Sequence, residues 1–233
     1  ELKRLFRART AAGHIKAYSY SAIVTTGPFA LLTGMVLAIQ MLFQVYDAGL
    51  DESAVFLGAV VYSFVFSQLL SCGFTIVLTR YLADCLTVQH YRDVTPSMFG
   101  MSALLLVLGS IASLLFFWGK PLAVELKVLS HLFFSLLLMV WVGSVYLTAV
   151  KKFKYLILGY LSGVLISFGL AALFLHTAWL PPAAGALFAM DVGMGVLVLF
   201  FFLYVTSCFG LPRDGMIFAF LPYLGRHGRL FIG

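Results

Sequence analysis

Residues 183–206 read AAGALFAMDVGMGVLVLFFFLYVT, a stretch in which Asp191 is the only charged side chain. A helix that crosses the hydrocarbon core of a bilayer needs about 20 mostly apolar residues. This stretch meets that requirement. It therefore predicts a transmembrane helix with one acidic side chain inside the membrane.

Five more apolar runs precede it, so that the six predicted spans are roughly 17–46, 54–79, 96–118, 128–150, 155–177 and 183–206. Hydrophobic residues make up 62% of the chain and charged residues 10%, against roughly 25% charged in an ordinary soluble domain. A soluble core of this size does not bury so much apolar surface. The sequence therefore predicts an all-α integral membrane protein, a six-transmembrane-helix bundle over residues 17–206.

Positive charge alternates between the gaps that separate these runs. The N-terminal segment and the even-numbered gaps, including the tail after the sixth run, hold thirteen of the fifteen lysines and arginines. Cytoplasmic loops of membrane proteins carry such an excess. The pattern predicts a cytoplasmic N-terminus in a multi-pass protein, and it explains the net charge of +6 without a nucleic-acid partner.

The two terminal segments differ from the runs. Residues 1–16 are predicted to form a basic amphipathic cytoplasmic segment on the membrane surface, or else a basic tail that only sets orientation. Residues 207–233 are predicted to be a cytoplasmic linker and the start of a truncated seventh helix near Phe218. Both ends are interpreted as cut, and no cleavable signal peptide is expected.

Asp191 is the strongest candidate for a functional residue, because an acid inside a span is costly unless it faces water or a partner. Gln68, with Ser67 and Ser71 beside it, is the deepest amide and is expected at a similar, near-midplane depth, where transporter sites tend to lie. We take these four residues as a hypothetical substrate path. The alternatives are a neutral aspartic acid bonded to a neighbouring helix and ordinary interhelical hydrogen bonds.

Gly27 and Pro28 interrupt the first run, after Thr25 and Thr26. Proline removes a backbone hydrogen bond, and threonine hydroxyls can satisfy the carbonyls that it frees. The pair predicts a helix kink, which serves either as a hinge for alternating access or as a fixed bend.

Motifs of catalysis are missing from the sequence. There is no HExxH, no P-loop, no GxGxxG and no GxSxG, and the three cysteines lack CxxC spacing. An intramembrane aspartic protease needs two buried acids, whereas the runs contain one. We therefore expect no enzyme activity, no cofactor and no metal site.

Four short segments, in order, resemble the PelG family, the polytopic membrane subunits of the Pel exopolysaccharide system. They are the basic opening at residues 1–5, the stretch from Ala17 to Pro28, the second loop from Thr79 to Gly100, and the fourth loop from Lys151 to Tyr155. The resemblance extends to about residue 165 and weakens from the sixth run onward.

The resemblance implies membership of the MOP flippase superfamily, in which two six-helix bundles face a central cavity, so that this chain resembles the N-terminal half. It implies export of an amino-sugar exopolysaccharide of cationic character across the bacterial inner membrane, for biofilm matrix. The implied partners are membrane lipid, the polysaccharide, a cytoplasmic glycosyltransferase and other inner-membrane Pel subunits. Loop contacts to them are expected from Arg80, Asp84, Lys151, Lys152 and Lys154.

Two other functions stay open at this point. One is a small-molecule antiporter of the same superfamily. The other is a non-transporting membrane scaffold that docks a polysaccharide synthase, for which the cytoplasmic loops matter and the cavity residues do not.

Overall fold

The computed structural model describes residues 11–211, with side chains from Thr26 onward. Six α-helices follow one another: α1 Ala11–Val45, α2 Leu50–Thr87, α3 Val94–Trp118, α4 Val124–Ala149, α5 Phe153–Thr177 and α6 Pro182–Phe209. A short 3-10 helix, Tyr91–Asp93, precedes α3. All six helices are long and apolar enough to cross a membrane, which confirms the all-α membrane fold. Residues 1–10 of the amphipathic segment and the region around Phe218 lie outside the described residues.

The antiparallel course of the helices gives the bundle two ends that differ in charge. The α1–α2, α3–α4 and α5–α6 connections meet at what we call the acidic end, whose charged residues are Asp47, Asp51, Glu52, Lys120, Glu125 and Lys127. The other connections meet at the basic end, which carries Arg80, Asp84, Arg92, Asp93, Lys151, Lys152 and Lys154. The alternation of charge along the sequence thus appears as a difference in charge between the two ends of the bundle.

Helices α4 and α6 form the centre of the bundle. Helix α6 packs against α5, α4 and α2, and α4 packs against α2, α3 and α6. Helix α1 lies mainly on α5 and touches α2 little. The named contacts between α1 and α2 are near the acidic end, where Gln40 and Ser53 exchange hydrogen bonds and the rings of Phe43 and Phe56 stack.

Small residues let α5 and α6 approach closely. On α5, Gly159, Gly163 and Ser167 follow one another at four-residue spacing and are all buried. A Cβ atom built on Gly163 would lie 3.0 Å from the carbonyl oxygen of Gly193 in α6. Such small-xxx-small faces are typical of membrane helix pairs, because packing rather than the hydrophobic effect holds helices together in lipid.

Helix α2 is longer than its predicted span. It continues to Thr87, past the predicted end at residue 79, and its 38 residues reach about 57 Å at 1.5 Å per residue. Arg80 and Asp84 therefore lie on a helix and not in a loop, contrary to the expectation from the sequence. The reason is a buried stripe on the extension (Val77, Leu78, Tyr81, Leu82 and Cys85), which joins the same core as the start of α3.

Glu52 of α2 caps the start of α6. Its Oε2 accepts a hydrogen bond of 2.9 Å from the backbone N–H of Ala183, one of the first N–H groups of α6, which have no partner within their own helix. The carboxylate also lies at the positive end of the helix dipole. This contact aligns α2 and α6 at the acidic end.

We expect Glu52→Ala to lower the free energy of unfolding by about 1 kcal/mol, because it removes a helix cap. Glu52→Gln should lose less, since its amide oxygen still accepts the bond. Unfolding in mixed micelles measures both. Asp51→Ala is the matched control, because Asp51 is the exposed neighbour in the same turn, and an equal loss in that variant would contradict the cap.

Candidate functional site: a buried acid in helix α6

Asp191 lies nine residues after the start of α6, or about 14 Å along the helix. Its side chain is 3% exposed, and neither carboxylate oxygen has a hydrogen-bond partner among the described residues. It is also the only charged side chain that is buried in the described part of the chain. Burial of an unpaired polar group costs free energy, so packing alone does not account for this residue.

The direction of Asp191 follows from helix geometry. At 100° per residue, Asp191 points about 160° away from Gly193, and Gly193 faces Gly163 and Ser167 of α5. Asp191 points instead about 20° from Phe202, whose ring packs edge-on against Phe99 of α3 at 5.6 Å. The acid is therefore on the side of α6 that faces away from α5.

An exposed stripe runs along α6 beside Asp191. Phe188, Leu199 and Leu203 are 37%, 57% and 58% exposed, and they point about 60° to 120° from Asp191 around the helix. The contact of Phe188 with Phe174 borders the stripe on the α5 side. Asp191 thus lies in the packed core, beside the exposed stripe of α6.

Ser67 and Ser71 face the core. The Ser67 hydroxyl donates to the carbonyl of Phe64 at 3.0 Å and accepts the indole N–H of Trp141 in α4 at 3.1 Å. The Ser71 hydroxyl donates to the carbonyl of Gln68 at 3.3 Å. Both serines are buried, and their hydroxyls have bonds of their own that join α2 to α4 or stay within α2.

Gln68 does not join the others, because its side chain is exposed and points about 100° from Ser67 and 60° from Ser71 around α2. Measured from the contact between Glu52 and Ala183, Asp191 is about 12 Å along α6 and Gln68 about 24 Å along α2. That the two lie at a similar depth in the membrane stays a prediction.

The remaining candidate residues lie in helix α1 and at the basic end of the bundle. Helix α1 runs through Gly27 and Pro28 without a break. Lys151 and Lys152 form the tight turn between α4 and α5, with Lys151 at φ 60°. Lys154 lies in the first turn of α5, and all three lysines are exposed at the basic end.

Sequence reasoning missed a set of buried hydroxyls. Ser63, Ser130 and Ser167 are fully buried, and their hydroxyls lack hydrogen-bond partners in the described part of the chain. A signal was present for Ser63, which precedes Ser67 and Ser71 at the same four-residue spacing. Such groups can bind polar atoms that enter the bundle. No group of three metal-ligating side chains occurs in the described residues.

A family model described as "PelG: Putative exopolysaccharide Exporter (EPS-E)" matches residues 1–233. No curated protein matches the sequence, and no solved structure does. The resemblance drawn from the loop segments is thereby confirmed, and it extends over the whole sequence rather than ending near residue 165. The described family is one of exporters, not of enzymes, and the six apolar helices agree with a multi-pass membrane protein. This chain belongs to the PelG family of exopolysaccharide exporters.

Proposed function

We propose that the chain is a flippase-like exporter bundle that moves a cationic amino-sugar exopolysaccharide across the bacterial inner membrane, for biofilm matrix. In this proposal the bundle pairs with a second six-helix unit, as in the MOP superfamily. The basic end lies in the cytoplasm and receives the polymer from a glycosyltransferase that docks on Lys151, Lys152 and Lys154.

The observation that carries the proposal is the isolated carboxylate of Asp191. A charge inside a membrane protein is a functional candidate by default, because it is rare and costly. Its attraction for a cation is strong where the surroundings have a low dielectric constant. A positively charged sugar unit is the partner that this acid lacks among the described residues.

The proposed route follows the exposed stripe of α6. Its residues are apolar, so the stripe suits the faces of sugar rings, and Asp191 at its margin would supply the one charge. In the described conformation the acid is closed off from this face. Gln68 on the exposed side of α2 would be a second contact, while Ser67 and Ser71 would take part only if the contact between α2 and α4 opens. A hinge at Gly27 and Pro28 would move α1 relative to α5, on which α1 mainly lies.

Secretion of polymer by cells that carry variants tests this proposal. Asp191→Asn should reduce secreted polymer at a matched protein level, whereas Lys152→Glu should act through the docking step. A scaffold that only docks a synthase also predicts loss with Lys152→Glu, but it predicts normal secretion with Asp191→Asn. Normal secretion with Asp191→Asn would therefore overturn the exporter mechanism.

The proposed orientation has its own test. Single cysteines at Asp51 and Lys152, in a background where Cys72, Cys85 and Cys208 are serine, should react with a membrane-impermeant maleimide from opposite compartments. In intact spheroplasts only the position at Asp51 should react, because the excess of lysine and arginine holds the basic end inside. Equal labelling of the two positions would refute the topology.

A further inference from the structure

An apolar groove lies between α2 and α3 on the outer surface of the bundle. Its volume is about 580 Å³, and its lining includes Tyr62, Phe66 and Leu69 of α2 and Leu115 and Phe116 of α3. These are among the exposed or half-exposed large side chains of the bundle. Helices α2 and α3 touch each other little, which is why the space between them stays open.

The groove continues toward the acidic end. A smaller cavity of about 210 Å³ shares Tyr62, Phe116 and Phe117 with it and reaches Val55 and Lys120. From Val55 to Leu70 the two cavities extend about 22 Å along α2. One leaflet of a bilayer has about 15 Å of hydrocarbon, so the groove is long enough for one acyl chain.

Two lysines lie near the end of α3: Lys120 lines the smaller cavity of the groove, and Lys127 lines a separate cavity between α3 and α4. Lys120 and Lys127 are the only lysines or arginines at the acidic end in the described part of the chain, and both lie on the side of α3 and α4. The Nζ of Lys120 lies 5.3 Å from the ring centre of Phe116, which lines both cavities. The Nζ of Lys127 donates to the carbonyl of Trp118 at 3.1 Å, the last residue of α3.

We propose that this groove binds an anionic phospholipid, with one acyl chain between α2 and α3 and the phosphate at Lys120 and Lys127. The apolar lining matches the chain, and the two lysines, which lie near the end of α3, match the headgroup. A neighbouring transmembrane helix would fill the same apolar space but would gain nothing from the lysines at its mouth. The charge at the mouth is therefore the feature that selects a lipid.

Tryptophan quenching by brominated lipids tests the site, because the chain has three tryptophans, Trp118, Trp141 and Trp179. Trp118 borders the lysines, and Trp179 is equally exposed at the same end but on the α5–α6 connection. Two single-tryptophan proteins, each with the other two changed to phenylalanine, would be placed in vesicles of brominated phosphatidylglycerol or brominated phosphatidylcholine. We expect phosphatidylglycerol to be preferred at Trp118 by about fivefold or more, and not at Trp179.

Three variants complete the experiment. Lys120→Gln with Lys127→Gln should abolish the preference at Trp118, whereas Lys152→Gln with Lys154→Gln at the basic end should leave it. Ala112→Phe, which fills the groove without touching a charge, should also abolish it, and circular dichroism checks that each variant is folded. A preference that survives loss of both lysines would overturn the proposal. So would equal preferences at Trp118 and Trp179, or a Trp118 that no lipid quenches, as with a helix in the groove.

Discussion

Gly193→Ala is expected to destabilise the bundle by about 2–3 kcal/mol, the upper range for an overpacked core. A Cβ at this position would collide with the Ser167 hydroxyl and would lie 2.5 Å from the carbonyl oxygen of Gly163. The carbonyl belongs to the backbone of α5 and cannot turn aside, so the two helices must separate. Because α5 and α6 form the largest helix contact in the described chain, the loss is felt across the bundle.

Reversible unfolding in mixed micelles measures this effect, and the chain supplies a matched control. Gly195 is in the same turn of α6, and a Cβ there would meet nothing within 4 Å. Gly195→Ala should therefore be neutral or slightly stabilising, because alanine favours a helix more than glycine does. Adding Ser167→Ala to Gly193→Ala should restore part of the stability, since it removes one of the colliding atoms. Equal losses at Gly193 and Gly195 would mean that helix propensity, and not close approach, is the cause.

Asp191→Asn is expected to reduce polymer secretion about tenfold or more while leaving stability unchanged or higher. A hydrogen bond to a charged group contributes about 1.5–3 kcal/mol, so the loss of the carboxylate weakens its contact with a cationic sugar by that order. The folded protein loses nothing, because neither carboxylate oxygen has a partner among the described residues. Opposite effects on export and on stability are typical of a residue kept for function.

Secreted polymer at a matched protein level and unfolding in micelles are the two measurements. Asp191→Glu keeps the charge and should keep part of the export. Asp47→Asn is the control, since Asp47 is an exposed acid with a positive φ of 49°, a conformation that asparagine also adopts. If Asp191→Asn instead lowered stability and export in parallel, the residue would be a structural hydrogen-bond donor between helices.

The sequence predicted where the helices lie along the chain better than it predicted which helices pack against each other. Hydropathy found all six spans, but it stopped α2 at residue 79, because Arg80 and Asp84 are charged. In the structure this helix continues to Thr87, because a buried stripe that contains Tyr81 and Leu82 packs into the core. A window average weighs every residue alike, so it ends a span where charge begins, even when one side of the helix stays buried.

Close packing of α5 on α6 was a second feature that the sequence left incomplete. Gly159, Gly163 and Ser167 form a four-residue pattern that is visible in the sequence. The pattern says that some helix can approach closely there, but it does not say which one.

By itself, the sequence determined that lipid is the solvent, that residues 17–206 form six helices apolar enough to cross it, and that one acid lies within them. These properties depend on which residue types follow one another along the chain, and the hydropathy of the sequence is calculated from those residue types alone. Only the tertiary structure decided that Asp191 is buried without a partner among the described residues, that Gln68 is exposed, and that Ser67 belongs to a contact with Trp141. The physical reason is that both the packed side and the lipid-facing side of a membrane helix are apolar. The pattern along such a helix therefore does not reveal which side meets a neighbour.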